Sequence, residues 1–494
     1  MNKITFNLLL RWEIQRMWRK PIVLIALLLL SLAMLFGALS GKTLHHSQTE
    51  SIYKNQQYTT DWYAEIKASA KRYSTAVQPD LPYWQDPTNV SGFSRYFLKQ
   101  FAYKPHLALS PIAVGNSDLL PSRLPVKLET SFGIDPQYDF ENPRSLALGQ
   151  FDLTFVVVYL LPIVILLLAA LLTTLERDNG SLRLIAAQPI TPRAWLGARL
   201  AALFIYVLPS IFITVWFALW LTSVPIFANL AEILTIFIVI AAYTLFWFSI
   251  CFVVLSYWLS AAGAMSVLIG IWGGLLIGMP MLLNIIQNIT IDPPSYLEYV
   301  NKTRHEQDLV NSEASELVAK AFKTHPMLAG NFDTVPTIDY ATRLTFLAPE
   351  LEKRLQPMHE EIEKSRQNQQ QFSSIAEYLS PSLGVINALS VIAGTNSTRH
   401  HLFLAQTRDY QLQLREMFYT RIYQQLINPS LKPEGSSGQF SFTAYDQIPE
   451  FVFQEPSVVS RLIQVIRVTV CLLLLSMLIA FARLRHLHTW PEDL

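Results

Sequence analysis

The chain has 494 residues, of which 51% are hydrophobic and only 15% charged, far below the roughly 25% charged content of soluble domains. A net charge of +1 offers no basic excess for nucleic acid, and the two cysteines, Cys251 and Cys471, lie inside apolar runs where they read as small buried hydrophobes. An ordinary soluble domain, a nucleic-acid binder and a disulfide scaffold are therefore excluded, and a membrane protein is expected.

Residues 1–20 read as an amphipathic helix on the inner membrane surface, with Trp12 and Trp18 among Lys3, Arg11, Arg16, Arg19 and Lys20. The run that follows, 21–41, is long enough for a first span and too long for the apolar stretch of a cleaved leader. A first outer segment, 42–150, is dense in Tyr, Trp, Phe and Pro, as expected of a compact domain with irregular connections. A second span, 151–174, leads into a charged connection, 175–199, and a third span follows at 200–222. Between Glu232 and Asp292 no residue is charged. As one straight helix that stretch would be roughly 88 Å long, so it folds back near Tyr257, Trp258, Ser260 and Gly263 into spans 232–257 and 263–287. A second outer segment, 288–456, carries helical stripes, with Leu383, Ile386, Leu389 and Ile392 followed by Leu402, Leu404, Tyr410, Leu414 and Phe418. Packing within the outer domain is the expectation for both stripes. The last span, 460–483, ends in a short tail, 484–494.

Charge sets the orientation. With six spans, the basic groups before the first span, between the second and third, and after the last (Arg483, Arg485) all face the cytoplasm. The fold class is thus all-α and polytopic, with six transmembrane helices, cytoplasmic N and C termini, and a large, mainly helical extracytoplasmic region inserted after spans 1 and 5.

The search for chemistry is mostly negative. "GALSGKT" (Gly37 to Thr43) has one residue too few between its glycines for a phosphate loop and no strand before it. The adjacent pairs His45-His46 and His400-His401 do not converge on a metal as an i, i+4 pair would, and His359-Glu360 lacks the second histidine of a zinc-protease motif. No metal site, no cofactor and no enzyme activity are expected of this chain. Within the spans, Arg467 is the one deep ionisable residue, with Arg461 and Gln464 read as sharing its face. Ser266, Gly270, Gly274 and Gly278 recur every four residues along the fifth span, a small stripe suited to close helix packing or a dimer contact.

The connection "LERDNGSLRLIAAQPITPRAW" is the only long inner loop. Asp178, Asn179 and Ser181 can start a short helix, Arg183 continues it, and Pro189 and Pro192 end it. Glu176, then Gly180 to Leu184, then Gln188-Pro189 resembles the coupling segment after the second span of type-2 ABC exporter permeases. The stretches "NPRSLALGQFDLTFVVVYLLPIVILLL" and "YLSPSLGVINALSVIAGTNSTRHHLFLAQ" are similar to a branch of that family with large outer insertions, related to multicopper-enzyme maturation permeases. The resemblance implies a permease in the bacterial cytoplasmic membrane that pairs with a second copy or a related permease. It also implies separate cytoplasmic ABC ATPase subunits that bind the ATP and Mg. Glu176, Arg177, Asp178, Gly180, Ser181 and Leu182 would then contact or position the ATPase. The nearly apolar spans favour a lipid-like, amphipathic or peptide cargo. The large outer region keeps open a mechanotransducer that acts on an extracytoplasmic partner without transport.

Overall fold

A computed structural model describes residues 3–75, 82–129, 151–427, 444–485, 487 and 490. The stretch 142–150, which opens the first of the two family-like segments, lies outside these residues, as do parts of the first outer segment and of the tail.

Among the described residues, six helices are long and apolar enough to cross a membrane, as expected. Helix α1 (Lys3–Trp18) precedes α2 (Pro21–Thr75), which contains the first span. The second span is α3 (Leu153–Asp178), and a short helix, α4 (Ser181–Ala186), links it to α5 (Pro192–Leu221). The fourth and fifth spans are α6 (Leu230–Leu255) and α7 (Ala261–Thr290), the latter with a π turn at Gly274–Gly278. Five helices then follow: α8 (Tyr296–Ser312), α9 (Ala314–Thr324), α10 (Tyr340–Leu379), α11 (Pro381–Ala393) and α12 (Ser397–Ile427). The last span is α13 (Val458–Leu484). Among the described residues the only sheet is one antiparallel pair, Gln100–Tyr103 with Arg123–Val126.

Two boundaries differ from expectation. The helix of the first span does not end at residue 41: α2 continues unbroken to Thr75, about 80 Å at 1.5 Å per residue, so the first outer segment begins as a rigid stalk rather than an irregular domain. Helix α5 starts at Pro192, because a proline in the first turn lacks only an N–H that would be unpaired there anyway. Pro192 therefore begins a helix instead of ending one. The turn between α6 and α7 falls at residues 256–260, with Trp258 at φ 55°.

The two outer segments share a single core. Ile66 of α2, Phe93, Ala102 and Leu124 pack with Phe322, Phe346, Phe403, Leu414 and Phe418, all buried. Buried polar bonds fix the register: Glu352 pairs at 2.7 Å with both Arg408 and Arg415, and Arg415 Nε donates to the Leu128 carbonyl.

The apolar stripes of the second outer segment divide at Gly394, whose φ of 72° ends α11. Tyr410, Leu414 and Phe418 of α12 face the outer core as expected. Leu389 and Ile392 of α11 instead join the core of the membrane bundle, packed on α6 and α13. The cause is a 117° bend between α10 and α11 at Ser380, where Pro381 starts a new helix and Ser380 caps it.

Close approach of non-helical backbone to α2 accounts for the glycines of "GALSGKT". A Cβ on Gly37 would lie 2.6 Å from the backbone of Asp152, and one on Gly41 would lie 2.0 Å from the Pro111 carbonyl oxygen. Lys42 reaches across to donate to the Leu221 carbonyl at 2.9 Å.

Around the domain end of the bundle, basic and imidazole side chains gather without forming a metal site. The Lys104 ammonium lies 3.2 Å from His400 Nδ1, and the rings of His45 and His106 meet edge-on at 5.3 Å. Among the described residues no three His, Cys, Asp or Glu side chains are arranged to hold a metal. Burial, with Lys104 beside it, pushes His400 down to about 3; burial, with His45 and Lys104 nearby, does the same to His106. Both folded values lie below the ordinary 6.5, so the unfolded chain binds more protons between the two, and stability falls as pH drops from about 6.5 towards 3. The expected loss by about pH 5 is up to about 2 kcal/mol for each histidine. Thermal unfolding from pH 7 to 5 checks this: His106→Gln with His400→Gln should flatten the slope, and an equally steep double variant would refute it.

Candidate functional site

The charged connection between α3 and α5 lies at the end of the bundle where α1 and the tail also meet. Helix α3 stops because Gly180, at φ 73°, reverses the chain, with the Gly180 N–H donating to the Arg177 carbonyl at 2.9 Å. No atom stands within 4 Å of where a Gly180 Cβ would be, so this glycine is needed for its backbone angle and not for space. Ser181 Oγ then donates to the Glu176 carbonyl at 3.1 Å, tying the start of α4 to α3. Leu182 is buried and anchors α4, whereas Asp178, Arg183 and Leu184 are exposed, Leu184 at 73%. An exposed leucine on a short charged helix was not singled out from the sequence. Its signal is an apolar residue flanking an arginine in the charged connection between the second and third spans.

Beneath α4 is a buried ion cluster. Arg199, 1% exposed on α5, uses all five of its N–H donors. Its Nε and Nη2 donate to Glu13 Oε1 at 3.2 and 2.6 Å, Nη1 and Nη2 to the Glu176 carboxylate at 2.8 and 2.9 Å, and Nη1 to the Leu172 carbonyl at 2.9 Å. Arg16 pairs with Glu176 from the more open side, and the Arg199 guanidinium lies 4.4 Å over the Trp195 ring. Three elements are thereby joined: α1 through Glu13 and Arg16, α3 through Glu176, and α5 through Arg199. Glu176 thus points into the bundle. Sequence reasoning missed Glu13 and Arg199 as partners, although Glu13 is the only acid before Glu50 in a basic leader and Arg199 interrupts an apolar run.

The tail covers the other flank. Trp490 donates from Nε1 to the Ile190 carbonyl at 2.9 Å and packs with Trp195 and Trp258 at 6.0 and 5.1 Å. Arg483 bonds to Ser256 Oγ at 2.7 Å and lies over Tyr257, closing the turn between α6 and α7. Both described ends of the chain therefore meet at one end of the bundle, as an even number of spans requires.

The remaining candidates lie elsewhere. Ser266, Gly270, Gly274 and Gly278 are all exposed, with no atom within 4 Å of a Cβ at Gly270 or Gly274, so among the described residues no other element packs on the stripe there. Arg467 is exposed and has no polar partner among the described residues. Arg461 turns away from it towards Glu232, 3.7 Å away, and the Ile392 carbonyl. Six residues at 100° each separate the two arginines by about 240°, which corrects the expectation of a shared face.

A polytopic helical bundle, a short helix exposed at one end and a large helical domain at the other define a multi-pass membrane protein. Residues 136–280 match the model of the ABC-2 family transporter protein, and residues 296–454 match that of a Domain of unknown function (DUF3526). The chain carries an ABC-2 family transporter domain joined to a second, helical region, and it is a permease subunit of an ABC transporter. No curated protein and no solved structure matches it.

Proposed function

We propose that two copies of this permease, or one copy and a related permease, sit on a pair of cytoplasmic ABC ATPase subunits and use their ATP hydrolysis to export a lipid-like or amphipathic molecule. The observation that carries the reading is the α3–α4 corner, where Asp178 at the end of α3 and Arg183 and Leu184 of α4 face outward while Leu182 and Ser181 hold α4 to the bundle. A push on α4 reaches Glu176 within one turn and passes through Arg199 and Glu13 to α5 and α1. Glu176, Arg177, Gly180, Ser181 and Leu182 are then positioning residues, and Asp178, Arg183 and Leu184 make the contact. This end of the bundle is cytoplasmic in the proposal, and the helical domain is periplasmic or extracellular. ATP and Mg belong to the partner.

A mechanotransducer acting on an outer partner is the second reading. The unbroken α2 favours it, since one rigid helix runs from the membrane into the outer core and could carry movement outward. Both readings need the ATPase. Gentle extraction and mass spectrometry of the retained proteins should recover one, and its absence would overturn both.

The exposed stripe on α7 is the proposed dimer face. Among the described residues no other element lies within 4 Å of a Cβ at Gly274, so Gly274→Leu is expected to leave the subunit folded and inserted while dimer cross-linking is lost. A normal dimer would move the interface elsewhere.

A further inference from the structure

A cavity of about 400 Å³ opens at the domain end of the bundle, between the outer half of α7, the end of α10 and α11. Its size is that of a small-molecule site. Its wall is divided by chemistry. One part is made of carboxamides, from Asn116, Asn284, Gln287 and Asn387, together with the carboxyl of Glu377; the other is apolar, with Leu283 and Ile386. Glu377 is half-buried and hydrogen-bonded to the Asn387 side chain, and among the described residues no cation pairs with it. A carboxylate facing a cavity whose other polar groups are all neutral leaves one charge to be matched from outside.

The apolar side runs on within the cavity. Phe372 and Leu383 line it beside Leu283 and Ile386, a surface against which an alkyl chain can lie. A primary ammonium has three donors and no acceptor, which suits the Glu377 carboxylate. An anionic head group would meet Glu377 with like charge.

We propose that this cavity binds an amphiphile with a cationic amine head, the ammonium on Glu377 and Asn387 and the tail against Leu283, Phe372, Leu383 and Ile386. The assignment rests on the transporter reading only in making that amphiphile the cargo. The site itself belongs to the permease alone.

The test uses the full-length permease in phosphatidylcholine nanodiscs, without ATPase, and a long-chain primary alkylamine carrying a photoreactive diazirine in its tail. Labelling should be saturable, map to the peptides around residues 280–290 and 372–397, and be competed by octylamine but not by octanol or octyl phosphate. Glu377→Gln, which is isosteric, should weaken labelling about tenfold, the loss expected for one charge-assisted hydrogen bond. Ser373→Trp, at the exposed rim, should block the cavity by volume alone. Labelling that octanol competes equally, that Glu377→Gln leaves unchanged, or that maps elsewhere would overturn the proposal. Correct labelling by a permease that recovers no ATPase would keep the site and remove the transporter; ATPase recovery without labelling would do the reverse.

Discussion

Arg199→Ala is expected to destabilise the protein by about 3–5 kcal/mol, the range for breaking a buried ion pair by removing one partner. Glu13 and Glu176 are both buried, and each directs its carboxylate at the same guanidinium. Without it, two desolvated negative charges face each other with only the partly exposed Arg16 between them. The cost comes from the charges left behind, not from the bonds lost, so removing them too should restore most of the stability: Glu13→Leu, Arg199→Leu and Glu176→Met together replace the cluster with apolar groups. Thermal unfolding in detergent separates the cases. A single variant as stable as the parent would mean that the cluster is open to water, and a triple variant no better than the single would mean that packing, not charge, held the three helices. In the assembled complex the triple variant also tests coupling. If the cluster carries motion from α4 to α1, ATPase stimulation by cargo is lost while stability is kept.

The membrane architecture was legible because hydrophobic length is a property of sequence alone. A span must be about 20 apolar residues long, and an uncharged stretch such as the one from Glu232 to Asp292 has to fold back, at the aromatic turn where Tyr257 and Trp258 stand. The reversal between the second and third spans was legible for a related reason, since a glycine amid charges between two apolar runs marks a turn, and Gly180 adopts the left-handed angle that requires it.

What the sequence left hidden is which groups meet. Gly37 and Gly41 are spaced four apart, and so are Gly270, Gly274 and Gly278. The first pair lies against the backbone of Asp152 and Pro111, while Gly270 and Gly274 of the second set have nothing beside them. The spacing of small residues states that a helix can be approached closely; it does not state by what. The same limit hid the ion cluster, whose members Glu13 and Arg199 lie 186 residues apart. It also hid α11: its 13 residues are too few to span a membrane and read as part of the outer domain until the bend at Ser380 turns them into the bundle.

That bend gives the second large effect, at Gly384. A Cβ there would stand 2.6 Å from the Glu377 carbonyl oxygen and 2.9 Å from Val468 Cγ1, with α11 wedged between the end of α10 and α13. The valine can turn aside, but the carbonyl belongs to the last turn of α10 and can move only if the helix does. Gly384→Leu is therefore expected to cost at least about 3 kcal/mol, the upper part of the range for overpacking, and to lift Leu389 and Ile392 off the bundle core. The control is Gly270→Leu, the same substitution on a helix face where no atom lies within 4 Å, which should leave the melting temperature of the detergent-solubilised subunit unchanged. If the two variants melt alike, α11 does not sit in the bundle, and the cavity it walls would lose Asn387 and Ile386. A large loss at Gly384 alone makes α11 a structural part of the membrane domain, so that any movement of the outer helices along α10 is delivered directly to the fourth and sixth spans.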